Sequence, residues 1–155
     1  MLGSWQTWEL PNLNDQTGRI TSPISNRYNC IAWAAGDATR WWWPDPVRIA
    51  LKLYFWPPGV PVELTFDAFL QAFGTLGFEE CSDGNPETGF EKIAIYGRQK
   101  NQSGLVEPTH AALQLKNGGW TSKLGQAEDV QHNELDGVSG PTYGAPVRFM
   151  RRPIS

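Results

Sequence analysis

Cysteine is scarce in this chain of 155 residues: only Cys30 and Cys81 occur. A secreted disulfide scaffold would need more. The two could in principle bridge, but the simpler expectation is a reducing, cytoplasmic setting. Long apolar runs are missing as well, and none approaches the ~18–20 residues of a membrane span. The start, Met1-Leu2-Gly3-Ser4-Trp5-Gln6, has no basic region followed by an apolar one, so no signal peptide is expected. Neither sign of charge dominates. The 13 basic and 16 acidic residues leave a net charge of -3, which argues against nonspecific binding of nucleic acid or of an anionic membrane. The one basic cluster, Arg148-Phe149-Met150-Arg151-Arg152, reads as a terminal strand with solvated arginines.

Other absences narrow the chemistry. There is no glycine-rich phosphate loop. Cys30, Cys81, His110 and His132 could supply four metal ligands, but no Cys-x-x-Cys or His-x-x-x-His spacing groups them. The acidic pairs Glu79-Glu80 and Glu128-Asp129 are adjacent, so in a strand their side chains would diverge to opposite faces. No metal and no cofactor is expected. What remains is ordinary globular material, 40% hydrophobic and 19% charged, enough for one domain spanning residues 1–155 with a real core.

Tryptophan and proline are over-supplied, with eight and twelve residues. Trp41-Trp42-Trp43-Pro44 and Tyr54-Phe55-Trp56-Pro57-Pro58 carry much of this excess. Such rings bury large area at low entropy cost, so they read first as walls of a core. They also suit a substrate cleft or a protein-partner surface.

Residues 1–28 read as an irregular arm. A helix is expected at about 29–38, with Asn29 as N-cap. The proline-punctuated segment 39–64 offers a short stretch near Val47–Leu53. Thr65 caps a clearer helix in which Phe66, Phe69, Leu70, Phe73 and Leu76 recur at helical spacing until Gly77. Strands follow at Phe78–Cys81, Phe90–Tyr96, Thr109–Leu115, Trp120–Leu124, Asp129–His132 and Val147–Arg151, with a polar loop from Arg98 to Pro108. Helices first and antiparallel strands after them make an α+β pattern.

Within this order Cys30 stands at the expected first turn of a helix, where unpaired N–H groups and the helix dipole favour a thiolate. A nucleophilic cysteine needs a base, and His110 opens the strand Thr109-His110-Ala111-Ala112-Leu113-Gln114-Leu115. The turn Asn117-Gly118 sends that strand back as a hairpin. With a three-residue loop, Ser122 shares the His110 face and can orient the imidazole. With a two-residue loop, Thr121 and Lys123 do, and Lys123 would suit an anionic substrate group. His132 reads as a surface or structural residue, and Cys81 as core.

The order Asn29-Cys30 with an Ala-Trp helix, then a strand opening with His110, then a neighbouring strand, resembles the papain-like cysteine hydrolases. The closest class is the compact bacterial cell-wall amidases and peptidases of the CHAP type. That resemblance implies an α+β, papain-like fold: an N-terminal helix carrying the cysteine, packed on an antiparallel β-sheet. The second helix and the aromatic, Pro-rich segment would be an insertion. It also implies Cys30 as nucleophile, His110 as base and Ser122 in the third position, where a stronger acceptor is usual. Nearly the whole chain, including Arg19-Ile20-Thr21-Ser22-Pro23, the Trp41-Trp42-Trp43-Pro44 run, Trp120-Thr121-Ser122-Lys123-Leu124-Gly125 and Tyr143-Gly144, also looks like a set of bacterial proteins without an assigned activity.

The expected function is therefore hydrolysis of an amide bond, in a peptide, a peptidoglycan stem or a glutamine side chain, through Cys30 and His110. Trp33, Trp120 and Lys123 are the expected substrate contacts, with members of the 41–43 run as further cleft walls. The alternative is a non-catalytic domain of the same fold that binds a protein partner through its aromatic segment.

Overall fold

The structure is a computed structural model that describes residues 10–13, 16–100, 104–124, 126 and 128–154. The first nine residues of the expected irregular arm, and the segment read for a signal peptide, lie outside these. Its dominant feature is one seven-stranded sheet, every neighbouring pair antiparallel. In chain order the elements are β1 (Gly18–Ser22), α1 (Cys30–Ala34), α2 (Pro46–Ala50), α3 (Phe66–Gly74), β2 (Glu79–Cys81), β3 (Phe90–Gln99), β4 (Val106–Gln114), β5 (Trp120–Lys123), β6 (Asp129–His132), a 3-10 turn (Leu135–Val138) and β7 (Ala145–Pro153). Across the sheet the strands run β1-β6-β5-β4-β3-β7-β2.

This corrects the expected fold class. The protein is β-rich, with three small helices among the described residues, and not an α+β, papain-like arrangement built around an N-terminal helix. The helix expected over 29–38 is five residues long. It stops because the chain turns at Gly36, where φ is +83° and glycine carries no steric penalty. The Asp37 N–H then donates back to Ala32 O at 2.8 Å. Part of the expected irregular arm is β1, which pairs with β6 and extends the sheet. The polar loop from Arg98 to Pro108 is shorter than its composition suggests, because β3 and β4 carry their pairing on to Gln99↔Val106 past a bulge at Thr109.

Alternation along the strands divides the core in two. Ile93, Ile95, Ala111 and Met150 face α1, α3 and the aromatic segment. Ala94, Tyr96, Ala112, Trp120, Leu124, Val130 and Tyr143 face the other way, under Leu10, Leu13 and the 3-10 turn. α3 forms where its periodicity predicts: Thr65 accepts from the Ala68 N–H at 3.1 Å, and Ala68, Phe69, Ala72 and Phe73 are buried. The basic end of the chain is in β7, where Arg151 pairs with Glu79 of β2 and with Glu87 of the β2–β3 loop, and Arg152 pairs with Glu91 of β3.

The hairpin register decides which residues accompany His110. Gln114 pairs with Trp120 and Leu113 with Thr121, leaving residues 115–119 as the loop. The pairing is offset from both expected loops, but its parity is that of the three-residue alternative. Ser122 therefore lies on the His110 face, and Thr121 and Lys123 lie on the opposite one.

Candidate functional site

Cys30 occupies the first position of α1, and Asn29 explains why the helix begins there. The Asn29 carboxamide oxygen accepts from the Ala32 N–H at 3.1 Å, as an N-cap does. The same side chain clasps Trp42 across the gap. Its Oδ1 accepts from the Trp42 N–H at 3.1 Å, and its Nδ2 donates to Trp42 O at 2.7 Å. One buried asparagine thus starts the helix and holds the Trp-rich segment beside it.

That segment is tied down further. Phe55 N–H donates to Trp41 O at 2.7 Å, and the Trp41 and Tyr54 rings stack at 5.7 Å. Trp43 meets Phe69 of α3 edge-on at 5.5 Å. Between these rings and the N-terminal half of β4 lies a pocket of about 380 Å³. Cys30 and Thr109 lie on one side of it, Trp41, Trp43 and Tyr54 on another, with Asn29, Gln126 and Tyr143 completing it. Among the described residues, no charged one lines it.

The Cys30 sulfur sits against the backbone of β4, with Sγ 4.0 Å from Thr109 O. Burial pushes the thiol up to about 11. N–H groups of Ala111, Ile31 and Cys30 and the Lys123 cation pull the other way without overcoming it. The thiolate expected at a helix start is therefore not the resting state: the group is a neutral thiol. Cys81 is also a free thiol, half-buried in β2, where its Sγ–H donates to Asp83 O at 3.4 Å.

His110 belongs to the same stretch of β4 but turns to the other face. Its ring is fully buried, stacked on Tyr143 at 4.0 Å and meeting the Tyr96 edge at 5.2 Å. Ser122 Oγ lies 2.9 Å from His110 Nε2 and 2.8 Å from His132 Nε2. The His132 Nδ1–H donates to Glu134 O at 2.8 Å. His110 Nδ1 is buried and has no hydrogen-bond partner among the described residues. Burial holds His110 well below the ordinary imidazole range, and the nearby His132 adds to this. Burial likewise takes His132 down to about 4, against a small opposing effect of its bond to Glu134. Both rings are neutral near pH 7.

The structure thus joins His110 to Ser122 and adds His132. It places Cys30 against the strand that carries His110, without a hydrogen bond from sulfur to ring. Tyr143 links the two sides, because it lines the Cys30 pocket and stacks on His110. Gly144 fixes Tyr143: its φ is +77°, and an added Cβ would collide with the Gly97 carbonyl oxygen.

The three expected substrate contacts lie elsewhere. Trp33 donates from Nε1 to Thr121 Oγ1 at 3.0 Å on the helix side of the sheet. Trp120 is buried in the opposite core. Lys123 is fully buried, donating to Ser25 O at 2.6 Å, with its ammonium 5.1 Å from the Tyr28 ring centre. The pocket walls come instead from Trp41, Trp43, Tyr54 and Tyr143. His132 had a signal in the sequence: β6 alternates, so in this register His132 shares the face of Val130, which pairs with Ser122.

Among the described residues, no three His, Cys, Asp or Glu side chains converge as a metal site, and no helix is long and apolar enough to cross a membrane. No curated protein and no solved structure matches the chain. A family model does match, over residues 19–151, and by that match the chain belongs to the family described as a domain of unknown function, DUF7689.

Proposed function

We propose that the protein is a thiol-dependent hydrolase or acyl-transfer enzyme, with Cys30 as nucleophile and His110 as base, acting on an amide bond. The observation that carries this reading is the convergence at β4. A thiol lines a walled pocket beside Thr109, the next residue of β4 is a histidine whose buried Nδ1 has no hydrogen-bond partner among the described residues, and Tyr143 touches both the pocket and that ring. Catalytic hydrogen bonds are often long before substrate binds.

The resting groups are neutral, so attack and proton transfer are coupled. The Cys30 sulfur bonds to the carbonyl carbon as its proton passes to His110, and the carbonyl π pair moves to oxygen. N–H groups of Cys30 and Ile31 at the helix start, which already act on the sulfur, are the donors proposed for that oxygen. Collapse expels the amine, which takes the proton from His110 and leaves a thioester. Water then hydrolyses the thioester, returning the thiol and releasing a carboxylic acid.

The test is acylation by an uncharged p-nitrophenyl ester, followed by nitrophenolate release and intact mass. One acyl group on Cys30 is expected, absent in Cys30→Ala and slowed about 10²–10⁴-fold in His110→Gln. No acylation, or an unchanged rate in His110→Gln, overturns the proposal. A second reading, a protein-binding module, has one observation in its favour: α2 buries none of its residues, and Val47 of α2 with Leu51 and Leu53 just after it are exposed at 66%, 64% and 64%.

A further inference from the structure

The chain His110–Ser122–His132–Glu134 has a direction. A backbone carbonyl only accepts hydrogen bonds, so His132 Nδ1 carries the proton shared with Glu134 O. A neutral imidazole has one N–H, which leaves His132 Nε2 as an acceptor. Among the described residues, the hydrogen bond to that nitrogen comes from the Ser122 hydroxyl, 2.8 Å away. Once that hydroxyl donates to His132, it has only lone pairs to offer His110 Nε2 at 2.9 Å. The proton in that contact must then be the ring's own.

We propose that Ser122 and His132 together are positioning residues that lock His110 as its Nε2–H tautomer, leaving Nδ1 as the bare, proton-accepting nitrogen. Ser122 and His132 share the His110 face of the sheet and do not line the Cys30 pocket, so they set the state of that ring without touching substrate. His110, Ser122 and His132 are at most 1% exposed, so bulk water does not compete for these bonds. The seat of His132 is tight: a Cβ added to Gly137 of the 3-10 turn would lie 3.0 Å from the His132 Cβ. The use of this lock in catalysis rests on the Cys30–His110 reading. The tautomer itself does not.

The test is multiple-bond ¹H–¹⁵N correlation on protein labelled at histidine nitrogen, at pH 7 and without substrate. In the wild type, His110 is expected as Nε2–H and His132 as Nδ1–H. Removing the distal ring by His132→Ala frees the Ser122 hydroxyl to donate to His110 Nε2, so the His110 population shifts toward Nδ1–H. His132→Gln restores an acceptor for the hydroxyl and keeps the wild-type tautomer. A purely structural His132 would not reverse a tautomer on a residue two bonds along the chain. In ester acylation, His132→Ala is expected to slow labelling of Cys30 about tenfold more than His132→Gln. An Nδ1–H His110 in the wild type overturns the proposal, and so does an unchanged tautomer in His132→Ala. If His132→Ala does not fold, the wild-type spectrum and His132→Gln still decide. An Nε2–H wild type that is never acylated sinks the enzyme reading and leaves the lock standing.

Discussion

Single residues carry unusual weight where they serve two elements. Asn29 caps α1 and also satisfies both backbone groups of Trp42. Replacing it by alanine removes a cap, at about 1 kcal/mol. It also leaves two buried backbone groups without partners, at about 1–3 kcal/mol each before relaxation. We expect Asn29→Ala to lose about 2–4 kcal/mol by urea unfolding, with a change in tryptophan fluorescence. Asn29→Asp keeps the accepting oxygen and should fall between the two. A loss below ~0.5 kcal/mol would show that the clasp does not hold the aromatic segment. Gly144→Ala meets both a positive φ and the Gly97 carbonyl. It should cost about 1–3 kcal/mol and disturb the Tyr143 ring over His110, which ring-proton shifts of His110 would report.

Elements were legible in the sequence to the extent that their signals were local. α3 was readable because capping and an apolar stripe agree within nine residues. Strand β6 was readable because Asp129–His132 is bounded by turn residues on both sides. β1 was not, since Gly18–Ser22 lacks a clean apolar alternation and its Ile20 is 41% exposed. Its pairing with β6 is a contact between distant parts of the chain, fixed by Ser22 and Tyr28 donating to the Asp129 carboxylate at 2.5 and 2.7 Å. α1 was overestimated at its end: the expected helix ran on to about residue 38, whereas the chain leaves the helix in a turn at Gly36. The pocket wall offers a prediction at this level. Trp43 touches both the pocket and Phe69. Trp43→Ala should therefore slow ester acylation by at least about tenfold and cost about 1–3 kcal/mol of stability. An unaltered acylation rate in a folded Trp43→Ala would remove this wall from the substrate site.

For the whole molecule, the buried histidines make stability depend on pH. Both have folded pKa values below the ordinary unfolded value of about 6.5. Between that value and about 4, the unfolded chain binds protons that the native state refuses. Stability therefore falls as pH drops through this window, by up to about 1.4 kcal/mol per pH unit for each histidine. Urea midpoints measured from pH 7 to 4.5 should decline, and His132→Gln should decline less steeply. Asp37 acts lower. Burial alone would raise its carboxyl, but hydrogen bonds from Thr39, Trp42 and Arg40 hold it well below the carboxylate range. Its contribution is present above about pH 4 and is lost as pH falls below that. Equal slopes in wild type and His132→Gln would mean that His132 does not resist protonation in the fold.

The candidate site divides along the same line. Residue types and their order singled out Cys30 and His110 as candidates, and turn chemistry left Ser122 on the imidazole face in one of two registers. These are short-range properties: a cap, a strand start, a hairpin. Tertiary structure chose the parity that puts Ser122 on the His110 face, because register depends on which side chains the finished sheet can bury. It brought in His132 and Tyr143 from later in the chain. It set the thiol and the imidazoles neutral, since burial is a property of the packed whole. It also turned an expected helix-led α+β domain into a β-rich one, because extended segments with weak local patterning gain their structure only from the strands beside them.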